Sequence, residues 1–181
     1  MAGSLGAALS SMVAALTHEK KGMLDIKPEM DEIGVEAQEL KDQLVFLVDE
    51  DTKAFNQVME ANRLPANDEK EKKEKVKAVA TANKYAIDIP METAEKCFRV
   101  IELTNTLVEK GNPNSVSDAG VAAEVALAGV RGGCMNVLIN LNGIDDQEYR
   151  NKKRTAVETL IKKAESLHQT VFNKTMKRID D

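Results

Sequence analysis

The sequence predicts an all-helical protein, an elongated antiparallel bundle of about five long helices. Apolar residues recur at the i, i+3, i+4 and i+7 spacing in five long segments, and no alternating strand pattern interrupts them. Aromatic residues make up only 3%, tryptophan is absent and there are four prolines, a composition more typical of packed helices than of sheets. With 181 residues, we expect one domain spanning residues 1–181.

The first helix is predicted over residues 4–20. It ends at Lys21-Gly22, where glycine suits a left-handed cap. Pro28 introduces the second helix, which carries a regular apolar stripe as far as Arg63 and is closed by Pro65.

The third helix is predicted to start after Asp68, whose side chain can cap free backbone N–H groups, and to continue to about residue 110. We expect Pro90 to bend it. The run of alternating charges over residues 68–75 is interpreted as a solvated face, with a polyanion site as the alternative.

The fourth helix is predicted to be capped by Ser115 or Ser117 and to reach about residue 141. Asp145 and Glu148, three residues apart, resemble a capping box at the head of the fifth helix, which extends to about residue 177. Short loops between long helices favour antiparallel packing.

Charge and cysteine content limit which partners and which cellular location we expect. The net charge of −5 argues against nucleic acid as a partner, because such a surface needs uncompensated Lys and Arg. Residues 3–16 are apolar but lack the basic region and the length of a membrane span, so no membrane partner is expected. Cys97 and Cys134 form no C-x-x-C pair, and a cytoplasmic location is the expectation.

Asp51 interrupts the apolar stripe of the second helix. At about 100° per residue, it falls in the middle of the side formed by Leu44, Leu47, Val48, Phe55 and Val58. A carboxylate at such a position costs several kcal/mol unless it is paired, hydrogen-bonded or protonated. From this helix alone, a structural ion pair and an active-site carboxylate are equal alternatives.

One side of the fourth helix is polar at its ends and nearly bare in the middle. Glycine within a helix costs about 1 kcal/mol relative to alanine, so we expect either a neighbouring helix or a flat ligand to approach this backbone closely. The two terminal asparagines supply amide groups that a purely packed seam would leave unsatisfied, which favours a ligand groove. The face consists of Asp118, Ala122, Val125, Gly129, Gly132, Gly133, Asn136 and Asn140.

Other chemistry-bearing residues give weaker signals. His18 and His168 lie near helix ends among charges, and we expect them to be exposed without metal-ligand spacing. Cys134 is interpreted as a small core residue. The sequence contains no Ser-His-Asp pattern, P-loop or dinucleotide fingerprint.

Several ordered motifs together resemble the cyclodeaminase/cyclohydrolase family, which includes the carboxy-terminal domain of formiminotransferase-cyclodeaminase and stand-alone methenyltetrahydrofolate cyclohydrolases. Members usually begin with a Pro-Gly-Gly-Gly-Ser turn, and this chain starts just after its place. The likeness covers nearly the whole chain and is carried by AGSLGAALSSMV at residues 2–13, LVDEDTKAF at 47–55, RLP at 63–65, NPNSVSDAGVA at 112–122 and NVLINL at 136–141.

The resemblance implies an all-helical homodimer that takes a tetrahydrofolate derivative as substrate, with no tightly bound cofactor and no metal. It implies that Asp51, in the motif Asp-x-x-Ala-Phe, is the acid/base. Val45 and Phe46 lie off the main stripe and can face a partner subunit or the core of one chain. Our hypothesis for the pterin contacts is a groove formed by Ser117, Asp118, Gly129, Gly132, Asn136 and Asn140.

Arg63 is a candidate for the glutamate carboxylates, or equally a surface cation at a helix end. Three functions stay open. The first is formimidoyltetrahydrofolate cyclodeaminase, and the second is methenyltetrahydrofolate cyclohydrolase, which shares the scaffold and the proton-transferring carboxylate. The third is a non-catalytic helical scaffold in which Asp51 is a buried salt-bridge partner.

Overall fold

The computed structural model describes residues 1–180 and is helical throughout, with no strand in that range. This confirms the predicted all-helical class and the five long helices. Three short 3-10 turns, Leu24–Ile26, Pro113–Ser115 and Leu141–Gly143, lie in the connections. The helices are α1 (Ala2–His18), α2 (Lys27–Arg63), α3 (Glu69–Lys110), α4 (Val116–Asn140) and α5 (Gln147–Asp180).

The predicted helix ends agree with the structure to within about three residues, and the capping chemistry agrees in part. Gly22 has a φ of +89°, but the expectation that it caps α1 is wrong, because α1 ends at His18, Glu19 is its right-handed cap and Gly22 lies in the turn that follows. Asp68 accepts a hydrogen bond from the backbone N–H of Glu71 at 2.8 Å. The capping box expected for α5 is wrong, because Asp146 accepts the backbone N–H of Tyr149 at 3.0 Å instead.

Cross-links between α2 and α3 show that these helices run antiparallel. Glu29 pairs with Lys110 at 2.7 Å near one end, and Glu36 pairs with Arg99 at 2.6 Å further along. The residue number rises on α2 as it falls on α3. The same reversal holds between α1 and α4, where Gly6 lies against Ala122 and Gly3 lies against Gly129.

Helices α3 and α5 are packed in parallel, because α4 reverses the chain between them. Asp88 pairs with Lys153 at 2.7 Å, and Glu109 pairs with Lys174 at 3.0 Å. The antiparallel arrangement expected from the short loops therefore describes neighbours in sequence, and α3 with α5 is a parallel pair.

Helix α4 is the centre of the bundle and contacts α1, α3 and α5. The helical stretch Pro113–Gly143, which contains α4, is long and apolar enough to cross a membrane by length and composition, and 44% of its most apolar part is buried inside the bundle. Val130, Cys134 and Val137 are fully buried. Packing against three helices accounts for the apolar composition of α4.

Candidate active site

A groove runs between α2, α3 and α4 at the level of Pro90. It consists of two cavities, of about 300 and 240 Å³. Asp51 and Asn136 line both cavities, so they stand where the two meet. We call this space the Asp51 groove. The first cavity is lined by Asp51, Ala54, Phe55, Val58, Asn83, Ala86, Asn136 and Asn140, and the second by Met1, Leu44, Leu47, Val48, Asp51, Thr52, Pro90, Thr93, Gly133 and Asn136.

Pro90 shapes the α3 wall of the groove. Helix α3 continues through it, but proline has no N–H, so the carbonyl of Ala86 has no helical donor. The side chain of Asn140 supplies one, because its Nδ2 donates to the Ala86 oxygen at 2.7 Å. This bond ties the carboxy-terminal end of α4 to α3 and fixes the position of Asn140 beside the groove.

The glycines of α4 have different surroundings. A Cβ on Gly129 would lie 2.5 Å from the Cys97 sulfur, and one on Gly133 would lie 2.6 Å from the carbonyl oxygen of Pro90. These two glycines therefore allow α4 to pack closely on α3. A Cβ on Gly132 would meet no heavy atom within 4 Å, and Gly132 lines neither cavity.

The expectation of one bare ligand-binding face on α4 therefore needs correction. A neighbouring helix covers Gly129 and Gly133, because both point toward α3. Of the predicted face, Gly133, Asn136 and Asn140 border the Asp51 groove, whereas Gly129 and Gly132 do not.

Asp51 is exposed, which corrects the expectation of a carboxylate inside a buried stripe. Leu44 and Leu47 are buried as predicted, but Val48 is 41% and Phe55 63% exposed, because the other helices do not cover this part of α2. Within residues 1–180, the Asp51 carboxylate has neither an ion pair nor a hydrogen bond. It therefore borders the groove with both oxygens free to accept hydrogen bonds.

A polar cluster beside Asp51 joins α2 to α3. Glu50 accepts hydrogen bonds from Lys53 and from the hydroxyl of Tyr85. The bond from Lys53 and then the bond from Tyr85 hold the pKa of Glu50 below its ordinary value, and Glu50 in turn raises the pKa of Tyr85. The cluster fixes the spacing of α2 and α3 one residue from Asp51.

The remaining predicted site residues lie outside this groove. Arg63 is exposed at the end of α2, about 18 Å along the helix from Asp51 at 1.5 Å per residue. Ser117 and Asp118 lie in the first turn of α4, about 27 Å along the helix from Asn136. The structure does not bring these three residues together with Asp51 in one chain.

The cysteines and histidines lie elsewhere. Cys97 and Cys134 are buried, and burial raises the pKa of each thiol to about 11, so neither is a ready nucleophile. His18 pairs with Asp31 at 2.7 Å, and His168 pairs with Glu124 at 2.9 Å. Both histidines are half-buried rather than exposed as expected, because each side chain lies against an acidic partner on a neighbouring helix.

Comparison with known proteins identifies the family. The family model described as formiminotransferase-cyclodeaminase matches residues 1–159. The chain belongs to the formiminotransferase-cyclodeaminase family. This membership confirms the resemblance noted in the sequence and the expectation of an enzyme.

Relatives in this family are of two kinds. The chain is 33% identical over 180 residues to methenyltetrahydrofolate cyclohydrolase of Methylorubrum extorquens, covering 99% of this chain and 86% of that protein. It is 32% identical over 163 residues to formimidoyltransferase-cyclodeaminase of Gallus gallus, covering 90% of this chain and 30% of that longer protein. The chain therefore corresponds to nearly the whole of the first relative and to under a third of the second.

A solved structure in the family has the same fold. The crystal structure of formiminotetrahydrofolate cyclodeaminase from Thermotoga maritima superimposes with a TM-score of 0.78 at 29% identity, covering 99% of this chain and 83% of that one. The arrangement of five helices is thus shared across nearly the full length.

Two polar residues, one lining the groove and one beside it, were not identified from the sequence. Asn83 lines the first cavity, and Tyr85 bonds to Glu50 beside it. Both lie on α3, where they follow the lysine-rich run and share no motif with the rest of the groove. A signal for Asn83 was available in its spacing from Ala86 and Pro90, three and seven residues further on, which sets these residues on one side of α3. Nothing in the sequence marked Tyr85.

Proposed function

We propose that this protein is a folate one-carbon enzyme in which Asp51 transfers a proton, with formimidoyltetrahydrofolate cyclodeaminase as the first of two candidate activities. The observation that carries the proposal is an unpaired carboxylate at the junction of two cavities, next to the free amide of Asn136. A carboxylate so placed can act as general base and then as general acid. Family membership supports a folate as the ligand.

The cyclodeaminase reaction requires two proton movements. N10 of 5-formimino-tetrahydrofolate attacks the formimino carbon and loses its proton as the N10–C bond forms. The C–N bond to the terminal nitrogen then breaks, and that nitrogen takes up protons and leaves as ammonia, giving cationic 5,10-methenyl-tetrahydrofolate. In our proposal Asp51 accepts the N10 proton and returns it to the departing nitrogen, and solvent supplies the second proton that this nitrogen needs to leave as ammonia.

The second candidate is methenyltetrahydrofolate cyclohydrolase. Its specific support is the stand-alone relative that matches 99% of this chain at 33% identity and carries that name. Here water attacks the methenyl carbon and gives up one proton to Asp51, which passes it to N5 as the C–N5 bond breaks. The hydroxyl on the carbon releases its proton to solvent as the formyl C=O forms, and 10-formyl-tetrahydrofolate is the product. The two candidates use the same carboxylate and have equal support from the relatives.

The ligand contacts follow from the groove. We propose that Asn136 and Asn140 contact the pterin, since both line the cavity that Asp51 borders. Arg63, exposed at the end of the same helix as Asp51, is proposed to bind the glutamate carboxylates of an extended folate. Ser117 and Asp118 remain predictions from the resemblance, and we do not include them in this groove.

An absorbance assay tests the function. Purified protein given 5-formimino-tetrahydrofolate should generate the methenyl chromophore if it is a cyclodeaminase, and protein given the methenyl compound should accelerate its decay if it is a cyclohydrolase. Asp51→Asn should lower the rate in the active assay by about 10² to 10⁴.

The matched control is Asp49→Asn, which changes an exposed carboxylate on the same helix that lines neither cavity. It should retain the wild-type rate. Full activity in Asp51→Asn would refute the acid/base role, and no signal from the wild type in either assay would favour the helical scaffold.

We also propose that the protein is a cytoplasmic homodimer. Helices α1 and α4, which pack against each other, expose large apolar side chains, a pattern associated with protein interfaces. Val45 and Phe46 of α2 are likewise 49% and 58% exposed, so they do not belong to the core of the single chain. The exposed residues of α1 and α4 are Leu5, Met12, Leu16, Val121, Met135 and Ile139.

The oligomeric state is measured by light scattering coupled to size exclusion. Met12→Glu should shift the mass toward the monomer, because it places a charge in the proposed interface. Val76→Glu, on an exposed part of α3, is the control and should leave the mass unchanged. A wild-type protein of monomeric mass would refute the proposed homodimer.

A further inference from the structure

Two asparagine side chains on the wall of the Asp51 groove have fixed orientations. Asn83 Nδ2 donates to the carbonyl oxygen of Gly143 at 2.9 Å, and Asn140 Nδ2 donates to that of Ala86 at 2.7 Å. Each amide thus points its nitrogen at the backbone. Turning either amide over would set its oxygen against a carbonyl oxygen, so the hydrogen bond selects one orientation.

The oxygen of each amide remains free to accept a hydrogen bond. Neither Asn83 Oδ1 nor Asn140 Oδ1 has a hydrogen-bond partner in residues 1–180, although both residues line the first cavity. The carbonyl of Ala86 is available to Asn140 only because Pro90 supplies no helical N–H. The fold therefore provides two acceptor oxygens on the α3/α4 side of the cavity.

The part of the groove next to Asp51 differs. Asp51 and Asn136 have no intramolecular hydrogen bond across the described 180 residues, so the Asn136 amide can turn to donate or to accept. A ligand ring in the first cavity would meet fixed acceptors at Asn83 and Asn140, and an adaptable amide with a carboxylate at Asn136 and Asp51.

We propose that Asn83 and Asn140 are specificity-determining residues that accept hydrogen bonds from the 2-amino group and N8–H of a reduced pterin ring. This inference rests on the proposed function. In a tetrahydropterin, the edge of the ring that holds N1 and N8 carries two donors, the 2-amino group and N8–H. In a fully oxidised pterin, N8 has a lone pair and no hydrogen, so an acceptor oxygen facing it loses a hydrogen bond and is repelled.

The orientation has a chemical consequence for the rest of the ring. N5 and the C4 carbonyl occupy the edge opposite N1 and N8. With N8–H directed at the asparagine pair, N5 is turned toward Asp51 and Asn136. The one-carbon group bound to N5 then lies on the side of the carboxylate that transfers the proton, and Asn136 can donate to the C4 oxygen.

Ligand binding to purified protein tests the proposal, with 5-formyl-tetrahydrofolate as the reduced probe and folic acid as the oxidised probe. Wild type should bind the reduced probe at least about tenfold more tightly, since losing one hydrogen bond and leaving an acceptor unpaired is worth about that factor. Asn83→Leu should reduce this preference by about tenfold, mainly through weaker binding of the reduced probe.

Asn83→Asp separates specificity from structural support. Both substitutions remove the bond to the Gly143 carbonyl, but aspartate still offers acceptor oxygens to the groove. We expect Asn83→Asp to keep the preference for the reduced probe. The matched control is Asn62→Leu, which removes an exposed asparagine whose Nδ2 donates to the Val58 carbonyl at 2.8 Å on α2 and which should leave both affinities unchanged.

The outcomes distinguish the two proposals. If wild type binds neither folate, the proposed function and this inference both fail. If wild type binds 5-formyl-tetrahydrofolate but the preference over folic acid is the same in Asn83→Leu, only this inference is overturned. Equal loss of preference in the Leu and Asp variants would also overturn it, because the bond to Gly143 would then account for the effect.

Discussion

The chain segments at the two ends of α4 differ in how their polar groups are bonded. In the connection that leads into α4, the Arg178 guanidinium donates to the carbonyl oxygens of Val108 and Gly111. The Thr17 hydroxyl accepts the backbone N–H of Asn112 at 2.9 Å. Polar groups of the α3–α4 connection are therefore matched by other parts of the chain.

At its carboxy-terminal end, α4 has polar groups that the described residues leave without partners. Asn136 and the facing Asp51 of α2 belong to this set, and Asn140 uses only its nitrogen. An end whose polar groups are matched stabilises the bundle, whereas an end with free donors and acceptors can bind a ligand. Substitutions at the two ends should therefore separate stability from activity.

The largest effect is expected from Gly133→Ala at the groove end. The new Cβ would lie 2.6 Å from the carbonyl oxygen of Pro90 and 3.0 Å from the Ala94 Cβ, so α3 and α4 must move apart. We expect the free energy of unfolding to fall by about 3 kcal/mol, measured by urea denaturation. Activity should fall as well, because Gly133 and Pro90 both line the second cavity.

Gly132→Ala is the matched control on the adjacent residue. No heavy atom lies within 4 Å of its added Cβ, so the variant should gain up to about 1 kcal/mol from helix propensity. Equal destabilisation by both substitutions would show that the packing of α4 on α3 does not depend on Gly133.

Arg178→Ala tests the connection that leads into the amino-terminal end of α4, where the polar groups have partners. It leaves the carbonyl groups of Val108 and Gly111 without their side-chain donor, and we expect a loss of about 2 kcal/mol in the free energy of unfolding. The turnover number below the melting transition should not change. Lys177→Ala, at an exposed neighbouring position, is the control for the loss of one positive charge.

A double-mutant cycle at Pro90 and Asn140 tests the hydrogen bond from Asn140 to the Ala86 carbonyl. Asn140→Leu alone should destabilise, because the Ala86 carbonyl loses its donor. Pro90→Ala restores the helical N–H that can bond to this carbonyl, so the cost of Asn140→Leu should be smaller in that background. We expect a coupling free energy of about 1 kcal/mol from chemical denaturation, and strictly additive effects would contradict the link.

The smallest effect is expected from Tyr85→Phe. The pKa of Glu50 lies below its ordinary value of 4.5 because Lys53 and Tyr85 donate to it. A lowered pKa in the folded state contributes stability above the ordinary value, and this contribution disappears as the pH falls through the folded-state pKa.

Tyr85→Phe should therefore lower the melting temperature slightly at pH 7, and the difference from wild type should shrink below about pH 4.5. Thermal melts over this pH range measure it. In a Glu50→Gln background, the pH dependence of the difference should disappear. A constant difference at all pH values would indicate that the Tyr85 ring, and not its hydroxyl, supports the helix pair.

Much of the fold could be predicted from the sequence, because the spacing of apolar residues in each helix indicates which side faces the core. Prolines and capping residues gave the helix ends to within a few residues. The parallel α3/α5 pair follows once α4 is known to lie between them. The capping of α5 was assigned to the wrong aspartate, since Asp145 and Asp146 are adjacent and only the backbone conformation distinguishes them.

The groove was harder to predict from the sequence. Helical spacing correctly indicated that Asn136 and Asn140 share a side, and the structure brings both beside Asp51. Asn83 and Tyr85 were missed because their partners lie 60 and 35 residues away in sequence. The spacing of glycines shows where a helix is bare, but the identity of what covers it depends on tertiary packing.

The link between Pro90 and Asn140 has a consequence for the history of the family. A proline in the middle of a long helix is harmful unless something else bonds to the carbonyl four residues earlier, and here that partner comes from another helix. The two positions should therefore have been inherited as a pair. Among homologues, loss of the proline should relax selection on the asparagine, and an asparagine replaced by an apolar residue should be found mainly where the proline is absent.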